Sequence, residues 1–308
     1  MGRRKFLRRG VLAVAALVAL LGGLYAVSYI RQGRKKDPTP LFKLFPQEHL
    51  MYDVLYGTTK TGTVTVSLSG LLEQPDGSRA YRVSYQVKTV RAVGAVYRVD
   101  GHISVLIDAA TLLPIEYEEK LTKGTLFKEN ARHRKYVYDR VNDELRYYRK
   151  KDENERFKLR RKPRKIPSDA HHYTSLLYFI RSVPLKLDSH FTATISDRKK
   201  DITVKLSVIR EEDYVALSGE RRTALVLGAA LVATEEEIKD ADPPTWLSRS
   251  ELWLDKEERF PVRLDAKTKW GTMSAKLVER VITEDPSSQT NESGGNHTGQ
   301  VPLDPAPR

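Results

Sequence analysis

Residues 81–88 read Tyr81-Arg82-Val83-Ser84-Tyr85-Gln86-Val87-Lys88. Alternate side chains are apolar, so an extended chain buries one face and wets the other. Thr63-Val64-Thr65-Val66-Ser67-Leu68 alternates in the same way, and Pro75-Asp76-Gly77 between the two runs is a turn. The pair reads as a hairpin, and its period continues down the chain. Residues 96–107 alternate with a break at Gly101. Further runs cover 112–121, 134–138, 144–149, 156–160, 190–196, 202–209, 213–218, 225–233, 246–254, 261–269 and 271–281. Strands with one apolar face, joined by short turns, specify a mainly β domain whose antiparallel sheet is covered on one side.

One segment breaks the period. Between Ser168 and Arg181, the residues Tyr173, Leu176, Leu177 and Ile180 fall at i, i+3, i+4 and i+7, the stripe of an amphipathic helix. Ser168 or Asp169 is placed to cap its start, and Pro184 ends it. A second, weaker helix is expected over 234–239.

The chain has 308 residues, 53 Lys and Arg against 40 Asp and Glu, and no cysteine. Disulfides, thiolate metal sites and cysteine nucleophiles are thereby excluded. The net charge of +13 is concentrated, because residues 1–36 hold nine basic residues and no acid, leaving +4 for the rest. That distribution argues against nucleic acid as a partner. The basic arm flanks residues 11–30, VLAVAALVALLGGLYAVSYI, twenty residues without a charge. A helix of that length spans about 30 Å, the thickness of a bilayer core. Two fates are open. One is a retained single-pass anchor with a basic cytoplasmic region at 1–10, placing the body in the periplasm at the inner membrane. The other is export by cleavage near Ala26-Val27-Ser28. Arg3-Arg4-Lys5-Phe6-Leu7-Arg8 is close to the twin-arginine export pattern. Residues 31–45 form a proline-containing linker, 46–285 the folded body, and 286–308 a polar tail expected to be disordered.

The body has an order of features that resembles the DUF3108 family of bacterial envelope proteins. Glu48-x-Leu50-x-Tyr52-x-Val54 opens it, with Gly62 following, and Asp108-x-x-Thr111-Leu112-x-Pro114 comes next. Asp169 then leads into Leu176-Leu177-Tyr178-Phe179-x-Arg181. Trp246-Leu247-Ser248, Leu252-Trp253-Leu254-Asp255 and Arg259-Phe260-Pro261-Val262-Arg263 complete the set, over roughly residues 46–282. The resemblance implies a fold similar to lipoprotein carriers: a strongly curved antiparallel sheet, nearly a half-barrel, with one helix packed on its concave side. It implies no established activity.

Signatures of catalysis are missing. None of the seven histidines (49, 102, 133, 171, 172, 190 and 297) sits at metal-ligand spacing. His171 and His172 are adjacent on the expected helix, with capping or surface roles. Gly57-Thr58-Thr59-Lys60-Thr61-Gly62 lacks the lysine and helix of a phosphate loop and reads as a hairpin turn. Asp108 with Glu116 or Glu118 is a weak carboxylate pair. The sequence therefore points to a non-enzymatic protein without metal or cofactor, a hydrolase being the remote alternative.

Two surfaces remain as candidates. If the helix leaves the concave face open, Val64, Val66, Tyr85, Val87, Val105, Ile107, Tyr178 and Trp253 line an apolar groove for a lipid or acyl chain. The second candidate is residues 120–165, with eighteen basic against seven acidic residues. There Arg146, Arg149, Lys150, Lys151, Arg160, Arg161, Lys162, Arg164 and Lys165 interleave with aromatics, suited to an anionic membrane surface or an envelope protein partner.

Overall fold

The structure, a computed structural model, describes residues 47–283 except 96, 126–127, 152–153, 198–199, 233–249 and 269–270. The expected membrane segment at 11–30, the linker, the tail and the weaker helix at 234–239 lie outside the described residues. Among the described residues, no helix is long and apolar enough to cross a membrane.

The chain opens with a meander: β1 (Glu48–Tyr56), β2 (Thr59–Glu73), β3 (Arg79–Thr89), β4 (Arg98–Asp108), β5 (Pro114–Thr125), β6 (Lys128–Asp139) and β7 (Glu144–Lys150). A single helical turn, α1 (Arg91–Gly94), joins β3 to β4. Two short strands, β8 (Lys158–Leu159) and β9 (Arg164–Lys165), both pair with β7. After the helix α2 (Tyr173–Ser182) comes a second meander: β10 (His190–Ser196), β11 (Asp201–Val215), β12 (Arg221–Leu231), β13 (Ser250–Asp255), β14 (Pro261–Thr268) and β15 (Gly271–Ile282). The last strand pairs with β1, so the two meanders form one 15-stranded antiparallel sheet from β10 to β8. The turns follow the sequence: Gly57 and Gly77 adopt φ of 59° and 80°, and Asp76 caps its turn through Ser78.

The sheet curls until its free edges face each other, and side chains close the seam. Arg164 of β9 donates to both carboxylate oxygens of Asp201 at 2.8 Å and to the carbonyl of Asp197 at 2.7 Å. The Tyr138 hydroxyl donates to the Ser196 carbonyl at 3.0 Å. The segment before α2 runs along this seam. His171 forms a parallel bridge to Ile195, and Arg140 donates to the Ala170 carbonyl at 2.6 Å.

That seam explains where α2 begins. Ser168 and Asp169 lie in a turn closed by the Ala170 N–H on the Pro167 carbonyl, and His171 is then bridged to β10, so neither Ser168 nor Asp169 caps the helix. His172 does, with φ −93° and ψ 157°, its Nδ1 accepting from the Thr174 N–H while Ser175 Oγ accepts from the His172 N–H. His171 and His172 are buried rather than on the surface. The helix is also enclosed on more than the expected stripe: Thr174, Tyr178 and Arg181 are buried beside Leu176, Leu177 and Ile180. It is the filling of the curled sheet.

Two strand expectations change. Gly101 does not interrupt β4. It is a buried strand residue lying so close under Leu121 that a Cβ would stand 2.9 Å from the Leu121 methyl. The run 202–209 and residues 213–215 of the next belong to one strand, β11, bent by a bulge between Val208 and Arg210, while 216–218 form the turn that follows.

Candidate functional site

The expected apolar groove is core. Val64, Val66, Tyr85, Val87, Val105, Ile107 and Tyr178 are all buried in the cluster that surrounds α2. The space left beside Tyr52, Tyr85, Leu177 and Tyr178 is about 20 Å³, room for a water molecule but not an acyl chain. Trp253 lies on the other face of the sheet. Leu252 and Leu254 point inward, so the intervening indole points outward, where it packs with Ala224, Val226, Phe260 and Val262.

The basic segment divides in a similar way. Arg146 is held by Asp139 at 2.7 Å, Arg164 by Asp201, and Lys165 by Glu144 at 3.3 Å and the Asn142 carbonyl at 2.8 Å. These three serve the fold and are not available as a docking patch. Lys150 sits over the Phe157 ring at 5.0 Å. Lys151, Arg160, Arg161 and Lys162 are exposed on the connections around β8 and β9. Arg149 belongs to a different group, set by strand register.

Residues directly opposite in antiparallel strands share a face. On the inner face, the row Tyr117–Tyr136–Tyr147 crosses β5, β6 and β7. Its ring centroids lie 5.3 and 5.2 Å apart, the first pair T-shaped and the second tilted, and Tyr117 lies 4.1 Å from the His172 ring at the start of α2. Two residues further along comes Glu119–Arg134–Arg149–Lys158 across β5 to β8. Beyond that stands Arg132, opposite Leu121. Lys123 follows Leu121 by two on β5 and so shares the face.

The inner face therefore turns from aromatic to cationic just past the N-terminus of α2. Five cations, Lys123, Arg132, Arg134, Arg149 and Lys158, stand there; Glu119 is the carboxylate on these strands among the described residues, and Asp197 approaches the same face near Tyr136. Glu119 is engaged by Arg134 at 2.9 Å and by the Tyr117 hydroxyl at 3.0 Å. Burial disfavours the charge on Arg134, but Glu119 together with the hydroxyls of Tyr136 and Tyr117 outweighs it and raises the pKa. Lys123 has the opposite balance: burial first, then the positive charges of Arg132 and Arg134, lower its pKa. The convex face of the same strands is matched. Lys135 pairs with Glu116 at 2.6 Å, and His133 with Glu118 at 2.6 Å. Asp108, expected near those glutamates, instead accepts from the N–H groups of Ala110 and Thr111 in its own turn.

Like charges directly opposite on neighbouring strands cost stability. Arg134, Arg149 and Lys158 form such a row, with Glu119 the carboxylate at its β5 end. Sequence composition located the segment, but the sites at Lys123, Arg132, Arg134 and Lys158 were missed. Their strand parity was readable, while the pairing of β6 with β7 and of β7 with β8 that aligns them was not.

This architecture, a curled antiparallel sheet around one helix, is that of a β-barrel-like protein. The chain belongs to DUF3108, a family of proteins of unknown function, whose profile matches residues 51–278. No curated protein matches the sequence. Among solved structures, a β-barrel-like protein of the DUF1849 domain from Brucella abortus is similar. It is 10% identical with a TM-score of 0.47, over 78% of this chain and 99% of that one. A Bacteroides fragilis protein with a YmcC-like fold, described as exported, is 8% identical with a TM-score of 0.33, over 79% and 100% of the two chains. A Parabacteroides distasonis protein described as a lipoprotein is 7% identical with a TM-score of 0.28, over 80% and 100%.

Proposed function

We propose that this chain is a non-enzymatic binding module of the cell envelope that holds the acidic head group of an amphipathic molecule at the cationic end of its inner face. The envelope location rests on the uncharged stretch at 11–30 between basic flanks. The observation that carries the binding reading is the row Arg134–Arg149–Lys158, in register across β6, β7 and β8 with Glu119 at its β5 end. An arrangement that costs the apo protein stability is repaid when an anion arrives. Phosphate-bearing head groups suit a fork of guanidinium groups better than a single carboxylate does. The acyl part stays outside, because α2 fills the interior. The module therefore grips a lipid by its head at a membrane surface and does not enclose its chain. Arg160, Arg161 and Lys162 extend the positive surface beside it.

Native mass spectrometry tests this. The full chain, released from mixed micelles of non-ionic detergent with either phosphatidic acid or phosphatidylcholine, is expected to retain phosphatidic acid preferentially. Retention should fall with added salt. Equal retention of the two lipids contradicts the proposal.

A further inference from the structure

Four of the cations at the inner-face site fall into two pairs. Arg149 on β7 stands directly opposite Lys158 on β8. Arg132 on β6 stands opposite Leu121, and Lys123 follows Leu121 by two on β5, opposite Asn130. Arg134 lies between the pairs and is already neutralised by Glu119, 2.9 Å away. On the convex side, Glu116 and Glu118 hold Lys135 and His133. Among the described residues, no carboxylate forms an ion pair with Lys123, Arg132, Arg149 or Lys158. Asp197 bears on the tyrosine end of the face, where it adds to burial in raising the pKa of Tyr136 and Tyr138.

Strand geometry sets the distance between the pairs. Arg132 and Arg149 are diagonal neighbours on β6 and β7, about 7–8 Å apart at the backbone. One phosphate gathers its oxygens around a single phosphorus and neutralises one pair. A diphosphate shares an oxygen between its two phosphorus atoms and is shorter than the gap. Two phosphates on a three-carbon bridge reach across it. The Glu119–Arg134 pair lies between the two positions with its charges balanced, and it offers donors and acceptors to hydroxyl groups on such a bridge.

We propose that the head group held at this end carries two phosphates joined by a short polyol bridge, one phosphate on Arg149 and Lys158 and the other on Arg132 and Lys123. This rests on the head-group reading above and narrows it from any acidic head to a bisphosphate. Each guanidinium gives a forked pair of donors and each ammonium a point charge. Once the first phosphate is seated, the second contact is intramolecular, so two weak contacts combine into a selective one. Arg132, Arg149 and Lys158 are exposed, which leaves both pairs accessible to a head group.

The test is native mass spectrometry of the full chain released from micelles of non-ionic detergent and phosphatidylcholine. These also contain cardiolipin, whose two phosphates are joined through glycerol, or phosphatidylglycerol at equal total phosphate. Cardiolipin is expected to be retained better by at least about fivefold. Arg132→Gln, at an exposed position, should remove most of that advantage. Lys276→Gln, which removes the same charge at an exposed position on β15, should not. Equal retention of the two anionic lipids, both above phosphatidylcholine, overturns the bisphosphate inference and leaves the head-group reading standing. Retention of neither above phosphatidylcholine overturns both. An advantage that survives Arg132→Gln belongs to the additional acyl chains of cardiolipin, and an equal loss in the two variants belongs to net charge; either result overturns the inference. So does stripping of cardiolipin by an equimolar soluble sugar bisphosphate, which makes the ligand a free anion.

Discussion

Glu48 and Arg181, 133 residues apart in the chain, form a two-bonded ion pair in the core. Nη1 donates to Oε2 at 2.8 Å and Nη2 to Oε1 at 3.0 Å, with the side chains 1% and 3% exposed. Glu48 starts β1 and Arg181 closes the last turn of α2, so the pair fixes the helix in rotation and depth inside the sheet. Glu48 and the Tyr178 ring hold the guanidinium charged against its burial; the ring lies 5.2 Å away.

Removing one partner strands a charge in the interior. Arg181→Met is expected to destabilise by about 3–5 kcal/mol. The double change with Glu48→Gln should recover part of this, because it removes a buried carboxylate left with Arg280 alone, 3.8 Å away. Urea unfolding of the two variants checks this through the coupling between them.

Filling of the interior has a second consequence. Val87 is 1% exposed beneath α2. Val87→Arg should therefore unfold the domain, at a cost of several kcal/mol for an unpaired buried charge. On an open groove it would only block a ligand. Circular dichroism during thermal unfolding separates these outcomes.

Stability should also depend on pH through the two buried histidines. Burial lowers His171 and His172 from 6.5 to about 3, with Arg140 adding to the effect at His171. Both are neutral in the folded state, while the unfolded chain protonates them below its own value near 6.5. Their contribution is complete above pH 6.5 and is lost as pH falls from there toward 3, by about 1.4 kcal/mol per pH unit for each. His172→Asn keeps a capping acceptor, and denaturant titrations from pH 7 to 5 should show it with a shallower loss.

Much of this architecture was legible as a period of two. β10, with Ser196 at its end, and β7, starting at Glu144, fall where alternation places them, and the family motifs mark the strands that meet α2. Applied to Leu252 and Leu254, the same rule turns Trp253 outward, against the sequence expectation that placed it in the inner groove. What a single sequence does not show is long-range register. Glu48 and Arg181 each look like an ordinary surface residue until β1 and α2 are brought together. The start of α2 was misplaced for a similar reason: β10, a later strand, draws His171 into an extended bridge that no local signal announces. The inner-face cations were visible as composition, but their alignment depends on the pairing of four strands.

Arg164 and Asp201 should act as the clasp of the seam. Both are partly exposed, at 26% and 34%, so Arg164→Ala is expected to cost only about 1 kcal/mol globally. Hydrogen exchange should instead accelerate locally, at the amides of β10, whose outer edge loses its tie to β9.

The central claim is that the inner-face cations are kept for an anion at a cost to the fold. Substituting Arg149→Gln and Lys158→Gln together removes two exposed charges from the row without disturbing the Glu119–Arg134 pair. One paired measurement decides: denaturant midpoint and phosphatidic acid retention on this variant and the parent chain. The account expects the midpoint to rise, corresponding to up to about 1 kcal/mol of unfolding free energy for each relieved opposition, while retention falls at least tenfold. A variant that is less stable than the parent and retains the lipid undiminished would contradict it.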